Sequence, residues 1–91
     1  MKPNILLYTK GHCPYCHRAK ALLRAKGVTD WTEVDLDNDP AQVGAMRTAS
    51  GGRMTVPQIF INGTHVGGSD DLFALDADGG LDRLLAEEVR V

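Results

Sequence analysis

His12-Cys13-Pro14-Tyr15-Cys16-His17 holds both cysteines of the 91-residue chain, and the reading of everything else turns on it. The stretch follows a short apolar run, Ile5-Leu6-Leu7-Tyr8, and opens a segment with helical periodicity. Cys13 and Cys16 fall at i and i+3, which on a helix makes them neighbours on one face, with a spacing compatible with a reversible disulfide. Pro14 suits the first helical position, where its missing N–H costs nothing. Cys13 then takes the cap position, its sulfur facing unpaired backbone N–H groups and the positive end of the helix dipole. Sites of this kind move a cysteine pKa from about 8.5 towards roughly 3.5–7.5. The stretch reads as a dithiol redox centre with Cys13 as nucleophile.

Working outward, Asn4 to Thr9 is apolar on both sides of any pleat, as a central strand covered on both faces requires. The spacing predicts a helix over 14–27, with Ala19, Leu22, Leu23 and the aliphatic stem of Lys26 on one face and Gly27 as its stop. Trp31 to Leu36 alternates, as in a less buried strand, and strand-helix-strand order implies a right-handed parallel unit. Asp37-Asn38-Asp39-Pro40 is a turn that can begin a second helix over 40–49, with Asp39 as cap and Pro40 at its first position. A strand over 57–61 and a returning strand over 64–66 flank Asn62-Gly63, a hairpin turn signal. A third helix is expected at about 70–77, and Leu81, Leu84, Leu85 and Val89 mark a short amphipathic terminal helix. The order βαβα-ββ-αα, with a cysteine pair after the first strand, reads as α/β: a thioredoxin-like fold, with a four-stranded mixed sheet flanked by helices in one domain over residues 1–91.

Three motifs at compatible spacing carry a family resemblance. Thr9-Lys10 before Cys13-Pro14-Tyr15-Cys16, then Arg53-Met54-Thr55-Val56-Pro57-Gln58-Ile59-Phe60-Ile61, then Gly67-Gly68-Ser69-Asp70-Asp71 together resemble a class I dithiol glutaredoxin of the small bacterial glutaredoxin 3 subgroup. The resemblance implies a glutathione-dependent thiol-disulfide oxidoreductase, with glutathione as cosubstrate and disulfide-containing client proteins as partners. It implies that Cys13 attacks the disulfide and Cys16 resolves the intermediate with a protein. It also implies a cis Val56-Pro57 peptide facing the site and a glutathione-binding set of Lys10, Tyr15, Thr55, Val56, Pro57, Gly68, Ser69 and Asp70. Lys10 can meet a carboxylate, Gly68-Ser69 at a helix start offers N–H groups to the other, and Asp70 can take the α-ammonium. Two positions depart from the family pattern. Ala49 stands where many relatives carry a basic or glutamine side chain, leaving Arg47 or Arg53 to reach the glycine carboxylate. Ser69 stands where some relatives have a third cysteine, which excludes regulatory oxidation there.

Composition bounds the alternatives. Ten basic and twelve acidic residues give a net charge of −2, no footprint for nucleic acid or an anionic membrane. The apolar run after Met1-Lys2-Pro3-Asn4 is too short for a signal peptide, so a cytoplasmic monomer is expected, in a compartment where paired cysteines are catalytic or metal-binding more often than structural. A structural zinc site needs four ligands, and His12 and His17 point differently on a helix, so no metal is expected. Cys16-His17 also completes the haem-attachment pattern Cys-x-x-Cys-His, but covalent haem calls for an export signal, a distal ligand and a mostly helical wrap. Tyr15 reads as exposed by the turn, whereas Met46 and Met54 read as packing.

Overall fold

Ile5–Thr9 (β1) has apolar side chains on both sides of its pleat, and a computed structural model places it in the interior of a sheet. The structure describes residues 3–87. After β1 come α1 (Pro14–Ala25), β2 (Thr32–Asp35), a 3₁₀ turn over Pro40–Gln42 and α2 (Val43–Ala49). The hairpin β3 (Gln58–Ile61) and β4 (Thr64–Gly67) follows, then α3 (Ser69–Ala77) and α4 (Gly80–Ala86). The strands lie in the order β2-β1-β3-β4, with β1 parallel to β2 and the other pairs antiparallel. This is the thioredoxin-like mixed sheet expected from the element order, with the alternating strand β2 on an edge.

The two faces of β1 and β3 are buried under different helices. Ile5 and Leu7 of β1 and Ile59 and Ile61 of β3 pack with Ala19 and Leu23 of α1, Leu72 of α3 and Leu81 of α4. On the opposite face, Tyr8 packs with Leu36, Met46 of α2 and Phe60. Burying each large aliphatic chain contributes about 1.5–3 kcal/mol, and this double cover is what holds the end of β1 still beneath the cysteines. Val89, assigned from its spacing to the apolar stripe of the terminal helix, lies outside the described residues.

Local chemistry accounts for most element ends. The first helix stops at Ala25, slightly short of the predicted 27. Gly27 adopts φ +85° there, its N–H bonding to Arg24 O at 2.9 Å, and Val28 N–H bonds to Leu23 O at 3.0 Å. That is a Schellman ending, with Val28 and Leu23 supplying its apolar contact. The ammonium of Lys26 pairs with Asp76 of α3 and Asp82 of α4, tying three helices together. Asn62 and Gly63 both have positive φ, as a type I′ hairpin turn demands. Asn62 further accepts from Asn4 N–H at 2.8 Å and donates to Leu84 O at 3.0 Å.

Asp39 stands at the cap with Pro40 at the first position, as expected, but of a 3₁₀ turn, and the side-chain capping is corrected. The Asp39 side chain makes no cap hydrogen bond, and the first turn is 3₁₀ before α2 begins at Val43. Asp35 organises this corner instead, its carboxylate accepting from Asp37 N–H at 2.9 Å and from Asn38 Nδ2 at 3.1 Å. A second carboxylate, Asp37, then accepts the Gly11 N–H at 2.8 Å and fixes the turn that leads into Cys13.

Candidate active site

Cys13 has extended backbone angles (φ −149°, ψ 95°) and Pro14 begins α1, so the cap geometry is the one expected. The Cys13 sulfur accepts the Cys16 N–H at 3.1 Å, taking up one of the orphan donors of the first turn. The two cysteines form a disulfide, with Cα atoms 5.2 Å apart. They are not equivalent: Cys13 keeps 6% of its surface exposed and Cys16 only 2%. Tyr15, between them, stands out in solvent at 55%.

Beside Cys13 runs the segment that precedes β3. The Val56-Pro57 peptide is cis, and the Val56 carbonyl oxygen lies 3.9 Å from the Cys13 sulfur. Among the described residues no hydrogen bond engages the Val56 N–H. Two side chains hold this segment in place. Gln58 is fully buried, donates from Nε2 to Thr55 O (3.0 Å) and Thr55 Oγ1 (3.1 Å), and meets His65 Nε2 through Oε1 at 2.8 Å. Ser50 Oγ accepts from Arg53 N–H at 3.1 Å and donates to Arg53 O at 3.0 Å.

The start of α3 forms the other wall. Gly67 closes β4 at φ +117°, where a Cβ would run into the Asp71 carboxylate and the Arg53 guanidinium. Asp71 Oδ2 accepts the Gly68 N–H at 2.8 Å and pairs with Arg53 Nη1 at 3.1 Å. The Gly68 N–H first, and Arg53 second, hold the Asp71 carboxyl below the usual carboxylate range. Ser69 is 4% exposed, and its Oγ is buried without a hydrogen-bond partner among the described residues.

Tyr15, Thr55, Val56, Pro57, Gly68, Ser69 and Asp70 all line one groove of about 330 Å³. Lys10 does not line it; it is exposed just past the end of β1. Arg53 and Asp71 line the groove as well. Arg53 was one of two candidates to replace the absent basic residue of the second helix, while Asp71 is new to the site. Its sequence signal was its place in the first turn of an acidic helix start; the pairing to Arg53, eighteen positions away, carried none. A larger cleft of about 650 Å³, lined by Leu75, Arg83 and Leu84 among others, lies between β4, α3 and α4; neither cysteine lines either depression, and the smaller groove is the one whose wall, at Val56, meets the Cys13 sulfur. Among the described residues no group of three or more His, Cys, Asp or Glu side chains is placed to hold a metal ion. None of their helices is long and apolar enough to cross a membrane.

Residues 5–66 match the family model for glutaredoxin. The chain belongs to the glutaredoxin family. Over 82 residues this glutaredoxin is 58% identical to glutaredoxin 3 of Escherichia coli strain K12, covering 90% of this chain and 96% of that protein. The solution structure of glutaredoxin from Brucella melitensis superposes with a TM-score of 0.77 at 49% identity, covering 92% of this chain and 89% of the other. The crystal structure of a buckwheat glutaredoxin–glutathione complex gives a TM-score of 0.81 at 31% identity, over 91% of this chain and 76% of that one. Glutaredoxins are thiol-disulfide oxidoreductases, and the Cys13–Cys16 disulfide is the oxidised state of such a dithiol centre.

Proposed function

We propose that this glutaredoxin reduces glutathione mixed disulfides and protein disulfides at the expense of glutathione, with Cys13 as nucleophile and Cys16 as resolving thiol. In the first reaction, the Cys13 thiolate attacks the glutathionyl sulfur, forming a Cys13–glutathione disulfide and expelling the client thiolate, which takes a proton. A second glutathione thiolate attacks that sulfur, releasing glutathione disulfide and restoring Cys13. With a protein disulfide, Cys16 attacks the Cys13–client bond. Two electrons pass to the client dithiol, the Cys13–Cys16 disulfide forms, and two glutathiones reduce it.

The observation that carries the glutathione reading is the buried, partnerless Ser69 Oγ at the start of α3, in the groove beside Cys13. A buried hydroxyl without a partner is rare, and here it accompanies the Ser69 and Asp70 N–H groups of a helix N-terminus, where a carboxylate is favoured, while the Gly68 N–H expected to join them is taken by Asp71. The open Val56 N–H supports pairing with an extended tripeptide backbone. Asp70, exposed on the first turn of α3, suits the γ-glutamyl ammonium. Arg53, already half-engaged by Asp71, suits the glycine carboxylate, and Lys10 offers an exposed cation on the β1 side. The buckwheat relative in complex with glutathione supports the same occupant.

The proposal includes a single-domain monomer that works in the cytoplasm, since both cysteines belong to the one reactive pair and a reducing compartment keeps it poised. A coupled assay tests it: glutathione, glutathione reductase and cysteine–glutathione mixed disulfide in one cuvette, and thioredoxin reductase with insulin in another. Turnover in the first is expected to exceed that in the second. Reduction by thioredoxin reductase alone would overturn the glutathione dependence.

A further inference from the structure

Three large apolar side chains are exposed among the described residues: Tyr15, Met54 and Phe73. Each lies on a segment that contributes lining residues to the groove beside Cys13. Tyr15 lines it, Met54 precedes Thr55, and Phe73 stands one helical turn after Asp70. Tyr15, between the two cysteines, and Phe73 share one neighbour, so their exposed apolar surfaces adjoin beside the dithiol as a contact surface would. Between two of them lies a cation. The Arg18 guanidinium carbon is 6.0 Å from the centre of the Tyr15 ring and 5.2 Å from that of Phe73, bridging α1 and α3.

We propose that Tyr15, Arg18 and Phe73 form the docking surface for the polypeptide that carries the disulfide, and that Arg18 selects partners with an acidic side chain near the half-cystine. The inference rests on Cys13 as the attacking sulfur and not on glutathione filling the groove. The two rings attract the guanidinium charge, and among the described residues none of its N–H donors has a hydrogen-bond partner, which leaves them for a carboxylate. Lys20, Lys26 and Arg53 each have a carboxylate partner, whereas Arg18 is exposed and forms no ion pair among the described residues. Held by two rings, it has lost part of its rotamer freedom before any partner arrives, so the ordering cost of a new ion pair is reduced. The acidic group that opposes a carboxylate on this rim is Asp70, one turn before Phe73 and on the groove side. His12 and His17 flank the dithiol in solvent and add no negative charge at neutral pH.

Distance sets where the partner's acid belongs. Arg18 is one helical turn beyond Tyr15, a rise of about 5 Å, and an extended peptide advances about 3.3 Å per residue. The matching carboxylate therefore falls within about two or three residues of the half-cystine that meets Cys13. Free peptides, glutathionylated proteins and native disulfide proteins share that local chemistry.

The test uses the pre-reduced full chain and no glutathione. Three synthetic disulfide-looped decapeptides carry Glu, Gln or Lys at the two positions flanking one half-cystine. Each exchange turns the peptide disulfide into a dithiol and the Cys13–Cys16 dithiol into a disulfide, two electrons and two protons passing to the peptide. Rates come from acid quench and chromatography. Wild type is expected to reduce the Glu peptide at least about threefold faster than the Lys peptide, the scale of an exposed ion pair. The ratio should fall to near one in Arg18→Gln, invert in Arg18→Glu, persist in Arg18→Lys and fade at high salt. A wild-type ratio near one, or one that Arg18→Glu leaves in place, overturns the proposal. No reduction of any peptide by wild type overturns dithiol exchange itself, and the docking surface with it.

Discussion

The Cys13 sulfur accepts a helix N–H and lies 3.9 Å from the carbonyl of Val56 in the groove wall, whereas Cys16 lies deeper, one turn along α1. Cys13→Ser is therefore expected to abolish turnover of mixed disulfides and protein disulfides alike. Alkylation of the reduced chain by iodoacetamide checks the assignment, since Cys13 should react first at pH 6; prior reaction of Cys16 reverses the roles. Cys16→Ser should keep deglutathionylation, because glutathione can resolve that intermediate. It should lose reduction of protein disulfides, which needs a thiol at high effective concentration. Equal loss of both activities contradicts the division of labour. Ser69 gives a sharper discrimination. If its hydroxyl waits for glutathione, Ser69→Ala removes a hydrogen bond worth about 0.5–1.5 kcal/mol and lowers kcat/KM about three- to tenfold. Because the hydroxyl has no partner in the free protein, the same change should leave the urea midpoint equal or higher. A fall in stability with unchanged kcat/KM would make Ser69 a structural residue only.

Among the elements, the junction of β4 and α3 is the one with least room. An alanine at Gly67 would need φ +117° and would press on both Asp71 and Arg53. Gly67→Ala is expected to destabilise by about 1–3 kcal/mol, read as a lower urea midpoint. It should also weaken glutathione turnover in the folded enzyme, because α3 carries Gly68, Ser69 and Asp70; a loss of stability alone would detach this junction from the groove. What the sequence disclosed at this scale follows how local each cause is. The Cys13-Pro14 cap, the Asn62-Gly63 turn and the Gly27 stop each depend on a few adjacent residues, and all were legible. Asp39 and Pro40 hold the cap and first positions that the sequence indicates, whereas the 3₁₀ form of that turn and the absent side-chain bond have no local signal. The Arg53–Asp71 tie and the Arg18 bridge to Phe73 join segments that only the fold brings together. Met54, whose residue type suggests packing, is 52% exposed. The groove residues themselves were reached through motif resemblance, and Lys10, the one taken from the β1 side, is the one that does not line it.

Across the whole molecule, charge links the layers at their edges, and this sets how stability changes with pH. Glu33 of edge strand β2 is partly desolvated, which pushes its carboxyl up. Hydrogen bonds from Lys20 (2.7 Å), Trp31 (3.1 Å) and Thr9 (2.9 Å) more than reverse this, so the net displacement is downward. Asp71 is displaced downward too. A carboxyl depressed in the folded state binds protons less well there than in the unfolded chain. Its contribution is present above the unfolded value, 4.5 for Glu33 and 3.8 for Asp71, and is lost as pH falls through the folded value. Lys26 runs the other way: hydrogen bonds from its ammonium to Asp76 and then Asp82 raise it above 10.5, so its contribution is present below that pH and disappears as pH climbs past the folded value. The urea midpoint of this glutaredoxin should therefore be flat from about pH 5 to 10 as far as these groups decide it, and fall on both sides. Glu33→Gln keeps the size of the side chain and removes its titration. It should lower the midpoint at pH 7, where the charged pair with Lys20 is intact, and make the fall between pH 5 and 3 shallower than in wild type. Unfolding followed by Trp31 fluorescence at both ends of that interval checks the sign. An acid limb equally steep in Glu33→Gln would remove Glu33 from the account and leave Asp71 as its remaining cause among the shifted carboxyls.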